Sequence, residues 1–271
     1  MLLHRHFDDE PLPKPNYPVA AGFSARENEP KKPPEYKAVA YAGTRNLYPD
    51  MVTAVKSLLI HTPVDRVFLL IEDDEFPYEM GSKVECINVS EQNVFRFYGP
   101  NYHTHWTYMA LMKAALTKVF PDLDRIVSLD VDTIVCEDIS PLWDIDMGDC
   151  LFAAVQEYAT DYRPYGLKYW NSGIVVWNLK ELRESGMDDK LIWLINTEEF
   201  RCPEQDAMNK LCAGRICDIP ARYNDGLACG VSDNPAIAHY AGSSWWQTNP
   251  KLPHHELLDI YRALPFPEDC L

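Results

Sequence analysis

The chain has 271 residues, 46% of them hydrophobic, enough to bury a sizeable core within one α/β domain. Its 41 acidic residues outnumber 25 basic ones for a formal charge of −16, a field that repels phosphate backbones and anionic headgroups and argues against nucleic-acid and membrane-surface binding. The same field repels a free nucleotide, so a nucleotide-binding protein of this charge needs a bound cation to bring the phosphates in.

Residues 1–35 are rich in charge and proline, with Pro11, Pro13, Pro15, Pro18, Pro30, Pro33 and Pro34, the composition of an extended or disordered arm. The start, Met1 to His6, leads into charge and proline rather than an apolar signal region, and no apolar run reaches the ~18 residues of a membrane-spanning helix. A cytoplasmic location is expected. The eight cysteines show no Cys-x-x-Cys spacing and read as reduced core residues, with a zinc site assembled from distant cysteines as the alternative.

From Tyr36 the pattern changes. Tyr36–Ala42 reads as a strand, Gly43–Asn46 as a turn, Tyr48–Ile60 as a helix with apolar Val52, Val55, Leu58 and Leu59, and Asp65–Ile71 as a second strand. Such a β-α-β unit with short connections specifies parallel strands and a right-handed crossover. Residues 84–89 give a third strand, and Trp106–Phe120 a helix that Pro121 and Asp122 terminate. Farther on, Leu151–Val155, Gly173–Trp177, Ile216–Ile219 and Ala236–His239 read as strands. Leu179–Arg183, Lys190–Thr197 and Glu204–Leu211 read as helical. The expected organisation is an arm (1–35), one α/β domain (36–247) and a C-terminal tail (248–271).

The segment Arg125–Val135 carries the most chemistry. An apolar strand delivers Asp130 and Asp132 to its carboxyl end, where residues i and i+2 point to one side. Two carboxylates converging on one hard cation suit Mn²⁺ or Mg²⁺. Sites in open parallel sheets lie at the carboxyl ends of the strands, where Gly43–Asn46 also falls.

Read together, these pieces resemble the glycosyltransferases of family 8, retaining enzymes of GT-A fold. That fold is a Rossmann-like α/β architecture with a mixed, mainly parallel central sheet flanked by helices. The resemblance covers about residues 36–247 and its pieces fall in the family's order. They are Val39–Asn46, Phe120–Asp132, Pro141–Asp144, Trp170–Lys180 with its Asn171-Ser172-Gly173, Glu204–Asn209 with Glu204-Gln205-Asp206, and His239–Gly242.

The resemblance implies transfer of a hexose, galactose or glucose, from a UDP-sugar to a carbohydrate or glycoconjugate acceptor. Asp130, Asp132 and His239 would hold Mn²⁺, with Mg²⁺ as the alternative. Ala42, Thr44, Asn46, Val131 and Gly242 would contact the nucleotide, and Lys113 and Asn171 the sugar. Gln205 would sit on the face of the anomeric carbon opposite the leaving group, while Asp206 or Glu204 would be the nucleophile if a covalent intermediate formed. Tyr158, Tyr162, Tyr165, Tyr169 and Trp170 form an aromatic group suited to stacking on acceptor rings or to core packing.

The chain departs from the pattern twice. Position 44, commonly acidic, is threonine, and the run His-x-x-Gly-x-x-Lys-Pro-Trp is replaced by His239-Tyr240-Ala241-Gly242-Ser243-Ser244-Trp245-Trp246-Gln247. Trp245 stands where the phosphate-binding lysine is found, with Lys251 as a substitute from the following loop. Two other readings therefore stay open. One is a non-catalytic UDP-sugar or carbohydrate binder of the same fold. The other is a haloacid-dehalogenase-type phosphohydrolase, whose Asp-x-Asp-x-Thr motif Asp130–Thr133 also satisfies.

Overall fold

The computed structural model describes residues 36–158, 165–166, 168–241 and 245–267. The expected arm, Tyr162 and Gly242 lie outside the described residues.

β1 (Ala38–Ala42) runs through a short 3-10 turn into α1 (Tyr48–His61), which starts with Pro49 in its first turn and ends where Pro63 forces Thr62 into an extended conformation. β2 (Arg66–Ile71) and β3 (Val84–Asn88) follow. The helix expected over 106–120 is broken into α2 (Thr107–Leu111), a 3-10 turn at Met112–Ala115 and α3 (Leu116–Val119). Mid-helix tightening of this kind marks a local demand on the backbone, and here the tightened turn carries the buried side chain of Lys113.

β4 (Arg125–Leu129) stops before the aspartates, and β5 (Thr133–Val135) belongs to another sheet. The strand expected to carry Asp130 and Asp132 at its end stops at Leu129, and a turn at 130–132 and a second strand follow. β6 (Phe152–Gln156) and β7 (Trp170–Asn178) come next, then α4 (Leu179–Glu184), α5 (Met187–Thr197), α6 (Pro203–Cys212), β8 (Ile216–Asp218), β9 (Ile237–His239) and α7 (Glu256–Ala263). β7 begins three residues before the expected Gly173, so Asn171 and Ser172 are strand residues rather than a turn.

The main sheet has seven strands in the order β3-β2-β1-β4-β7-β6-β8. β3, β2, β1 and β4 are mutually parallel, β7 runs antiparallel to β4 and β6, and β8 is parallel to β6. The sheet is α/β, mixed and mainly parallel. Chain direction across the sheet reverses between β1 and β4, which opens a crevice at their carboxyl ends. β5 and β9 pair antiparallel in a small second sheet.

Apolar side chains of alternate strand positions fill two layers. One lies under α2, α5 and α6 and includes Phe68, Phe120, Phe152 and Trp177; the other lies under α1 and includes Tyr41, Met51, Val127 and Ile174. A third cluster seats Leu258 and Tyr261 of α7 on Ile134, Ala238 and Tyr240. Helix α7 lies within the stretch expected to be a C-terminal tail. Lys56 Nζ of α1 donates to the carbonyls of Arg262 (3.2 Å) and Leu264 (2.5 Å), satisfying carbonyls that the end of α7 leaves open.

Cys150 and Cys217 form a disulfide joining the start of β6 to β8, which corrects the expectation of eight reduced core cysteines. Cys86 is moreover exposed. Among the described residues no helix is long and apolar enough to cross a membrane.

Candidate active site

The aspartates converge through the turn rather than through strand alternation. The Asp130 N–H donates to Gly173 O of β7 (2.8 Å), and Thr133 Oγ1 closes the turn by donating to Asp130 O (2.7 Å). In the second sheet Thr133 pairs with His239, and the Tyr240 N–H donates to Asp132 O (3.0 Å). This register sets His239 Nε2 3.3 Å from Asp132 Oδ1 and 3.9 Å from Asp130 Oδ2. Among the described residues, these are the His, Cys, Asp or Glu groups that gather closely enough to share one cation. Two carboxylate oxygens and an imidazole nitrogen form a donor set suited to a borderline or hard divalent ion.

Two glycines let the imidazole sit there. A Cβ on Gly173 would lie 2.2 Å from His239 Cε1, and one on Gly226 would lie 2.1 Å from His239 O. No side chain fits at either position, so the glycine of Asn171-Ser172-Gly173 is explained by the ring packed on it.

The other oxygen of Asp130 faces a buried cation. Lys113 Nζ donates to Asp130 Oδ1 (2.7 Å) and to Ser172 O (3.1 Å), and lies 3.1 Å from Glu204 Oε1. Burial by itself lowers the Lys113 pKa, but the carboxylates of Asp130 and Glu204 outweigh it and hold the ammonium above its ordinary range. Burial likewise pushes Asp130 up, against the pull of Lys113 and with the charge of Asp132 adding to the rise. Asp132 is drawn down despite burial, by His239, whose own pKa is raised by the same contact against the effect of burial.

A hydrogen-bonded chain continues from His239 across the site. His239 Nδ1 lies 2.7 Å from Asn224 Oδ1, and Asn224 Nδ2 donates to Asn171 Oδ1 (2.8 Å). Asn171 Nδ2 (2.7 Å) and Gln205 Nε2 (3.0 Å) both donate to Glu157 Oε1. Gln205 Oε1 accepts from the Ser172 N–H (2.8 Å), and Ser172 Oγ donates to Glu204 Oε1 (3.0 Å). The structure therefore brings Asp130, Asp132, His239, Lys113, Asn171, Glu204 and Gln205 into one cluster.

Asp206 is held by a different set of donors. Its carboxylate is fully buried and accepts from Tyr169 OH (2.6 Å) and from the N–H groups of Arg201 (3.1 Å) and Cys202 (2.9 Å), where it braces the entry to α6. The aromatic residues flagged in the sequence are likewise divided. Tyr169 and Trp170 are buried in the fold, Tyr165 packs on the core, and Tyr158 is exposed.

Ala42, Thr44 and Asn46 lie at the end of β1, beside β4 in the register that aligns Ala40 with Ser128. Thr44 Oγ1 donates to Asn46 Oδ1 (2.5 Å). The side chain of Val131 packs into the core, which leaves its backbone for any contact with a ligand. Next to this loop a cleft of about 430 Å³ is lined by Arg45, Tyr48, Asp73, Asp74, Glu75 and Pro77. Arg45 and Tyr48 are both tied to Asp73 there.

Glu157 and Asn224 were not singled out in the sequence. Glu157 follows the apolar strand Phe152–Gln156 just as Asp130 follows β4, so a carboxylate at the carboxyl end of a buried strand was the available signal. Asn224 lies in a 3-10 turn between β8 and β9 and offers no such cue.

Residues 38–247 match the profile of "Glycosyl transferase family 8". General stress protein A of Bacillus subtilis (strain 168) is 27% identical over 183 residues, 56% of this chain and 64% of that protein. Lipopolysaccharide 1,2-glucosyltransferase of Escherichia coli (strain K12) is 25% identical over 165 residues, 50% of this chain and 48% of that protein. Both matches leave more than a third of the relative's length uncovered. A crystal structure of the galactosyltransferase LgtC, in complex with donor and acceptor sugar analogues, superposes with a TM-score of 0.68. It is 20% identical, and the match covers 86% of this chain and 98% of that one. At this identity the likeness speaks for a shared fold, the GT-A fold expected from the sequence.

Proposed function

The chain belongs to glycosyltransferase family 8, and on that premise we propose that it transfers a hexosyl group, galactosyl or glucosyl, from a UDP-sugar to a carbohydrate or glycoconjugate acceptor with retention of configuration. The observation that carries this reading is the convergence of Asp130, Asp132 and His239 at the sheet's switch point, next to Lys113 and Gln205. The three would hold Mn²⁺, or Mg²⁺, which when bound offers Lewis-acid stabilisation of negative charge on a departing diphosphate.

The chain's own residues take the remaining roles. Ala42, Thr44, Asn46 and the backbone of Val131 are assigned to the nucleoside, with Gly242 against the phosphates. Lys113 favours the ionised form of Asp130 against the effect of burial and carries positive charge to the edge of the site. Asn171 and Gln205 line the sugar. The Gln205 oxygen, held by the Ser172 N–H and 3.3 Å from Ser172 Oγ, is assigned to positive charge developing at the anomeric carbon. In the step itself the acceptor oxygen bonds to the anomeric carbon as the carbon–oxygen bond to phosphate breaks on the same face. The acceptor's proton passes to the departing phosphate oxygen.

Contacts at the two candidate nucleophiles support this same-face course over a covalent one. Asp206 is committed to Tyr169, Arg201 and Cys202, and Glu204 Oε1 to Lys113 and Ser172. The phosphohydrolase reading is disfavoured by the family match over residues 38–247. A non-catalytic binder stays in view for one reason, tryptophan at the position of the family's lysine.

The test is UDP release from a panel of UDP-sugars with Mn²⁺, Mg²⁺ or EDTA, beside Asp132→Ala. Metal-dependent release from one sugar, abolished in the variant, is expected. UDP binding without release from any sugar would instead make the protein a binder.

A further inference from the structure

Asn224 is itself assigned to neither donor nor acceptor, yet it is only 1% exposed and lies between His239 and Asn171. The polarity of the chain through it is fixed by a backbone group. The Gly173 N–H can only donate, and it lies 2.8 Å from Asn171 Oδ1, so that atom must be the amide oxygen. Asn171 then turns its NH₂ to the Glu157 carboxylate, which can accept it. The atom of Asn224 that meets Asn171 Oδ1 must be the donor Nδ2, and Asn224 is left presenting Oδ1 to His239. An amide oxygen accepts only, so His239 carries a hydrogen on Nδ1 and directs Nε2 toward Asp130 and Asp132.

The far end is anchored in the same way. The Ser172 N–H fixes Gln205 Oε1 as an acceptor, which turns Gln205 Nε2 to Glu157. Two consecutive backbone donors of β7 thus set the direction of every side-chain bond from His239 to Gln205.

We propose that Asn224 is a positioning residue for the cation site. It holds His239 in the Nδ1–H tautomer with Nε2 presented to the cation, and through Asn171 it couples that ligand to Glu157 and Gln205. The inference rests on the reading of Asp130, Asp132 and His239 as a cation site. Ligating histidines need their second nitrogen engaged to fix ring and tautomer, and loss of such a partner typically lowers metal affinity about ten- to a hundredfold.

Two substitutions separate the roles. Asn224→Leu removes both contacts. Asn224→Asp keeps an acceptor for Nδ1–H but loses the donor to Asn171 Oδ1, so that Asn171 must either face a second acceptor or flip and turn its oxygen on Glu157. Mn²⁺ binding to the wild type and both variants is measured by calorimetry and by the electron-paramagnetic-resonance signal of free Mn²⁺. The His239 tautomer is read from ring ¹⁵N shifts, folding from thermal melts, and donor turnover at saturating Mn²⁺.

Asn224→Leu is expected to bind Mn²⁺ about ten- to a hundredfold more weakly and to lose the single-tautomer signature. Asn224→Asp is expected to bind Mn²⁺ at least as well as the wild type, keep Nδ1–H and show a lowered kcat. Wild-type affinity in a folded Asn224→Leu overturns the inference alone, whereas absence of Mn²⁺ binding in the wild type overturns the cation-site reading and the inference with it. If Asn224→Leu does not fold, Asn224→Asp decides: metal affinity kept with kcat lowered supports the relay, and any other combination overturns it.

Discussion

Replacing Gly173 with alanine should abolish tight cation binding while leaving the protein folded. The added Cβ would stand 2.2 Å from His239 Cε1, 2.9 Å from His239 Nδ1 and 2.9 Å from Asn171 Oδ1. Non-bonded carbons settle at about 3.5 Å or more, so the ring must retreat by more than about 1 Å. The His239 backbone cannot follow, since its N–H is held by Asp225 O and its carbonyl fits against Gly226. Only the side chain can swing away, and a metal site tolerates ligand displacements of about 0.2 Å. Overpacking at one position costs about 1–3 kcal/mol, which a domain of this size can absorb. Mn²⁺ titration of Gly173→Ala, run with a thermal melt, should therefore give a cooperative transition at somewhat lower temperature and a loss of affinity larger than about tenfold. Unchanged Mn²⁺ affinity would refute the packing argument and, with it, the reason offered for glycine at this position.

Other expectations follow from the same cluster and from the disulfide. Burial alone would take His239 below its ordinary value of 6.5, but Asp132 outweighs burial and raises it, so the cation-free folded chain holds this proton more tightly than the unfolded chain does. That stabilisation is complete below pH 6.5 and is lost as pH rises through the folded pKa. Mn²⁺ binding runs the other way, weakening by about tenfold per pH unit below that pKa because the ion must displace the proton; pH-independent affinity between pH 5 and 9 would exclude the competition. Lys113→Met leaves Glu204 and Asp130 without their shared cation, a loss of about 3–5 kcal/mol for a buried pair. Asp130 is about one-third exposed, so water recovers part and about 2–3 kcal/mol is expected in denaturant unfolding. Adding Glu204→Gln should return some of it, and a further loss would contradict the pairing. The Cys150–Cys217 disulfide should appear in a non-reducing peptide map, and Cys150→Ser should cost about 2–4 kcal/mol; free thiols at both positions would refute it.

The order of strands and helices was legible because apolar runs of four to six residues alternate with amphipathic ones, and Pro63, Pro121 and Pro203 mark their limits. The break in Arg125–Val135 was not legible. Val131 and Ile134 continue the apolar pattern, and nothing local says that Thr133 leaves the sheet to pair with His239 more than a hundred residues away. The convergence of Asp130, Asp132 and His239 was readable, but a turn and a second sheet achieve what strand alternation was expected to do. Helix α7 was missed because its stability comes from docking on α1 through Lys56 and Asp50, contacts that its own short, charged sequence does not announce. Asp206 looked equivalent to Glu204 in sequence, but an offset of two residues along the helix turns its carboxylate to the N–H groups of Arg201 and Cys202 while Glu204 faces Lys113.

Charge balance leaves one question that a single substitution can answer. Asp130, Asp132, Glu157 and Glu204 stand in one hydrogen-bonded cluster with Lys113. A divalent cation leaves that group still net negative, so an arriving diphosphate finds no surplus positive charge there, and the chain as a whole carries −16. By the resemblance Trp245 stands where the family has a phosphate-binding lysine, and it is 75% exposed, so Trp245→Lys should leave the core intact. The neighbouring Trp246, stacked on Tyr240, could not be changed so freely. A unit charge about 4 Å from a phosphate oxygen is worth about 1 kcal/mol at water-like screening and about 4 kcal/mol at the effective dielectric of a protein surface. An exposed site takes the lower end, which corresponds to a donor KM about fivefold lower. The gain should shrink as salt is raised, because exposed charges are screened beyond about 10 Å at 0.1 M ionic strength. A fall in KM at low salt with kcat unchanged would mean that the chain is an enzyme working without one of its family's phosphate contacts. An unchanged KM would mean that position 245 does not face the diphosphate, whose charge would have to be met by the cation and Lys113 alone.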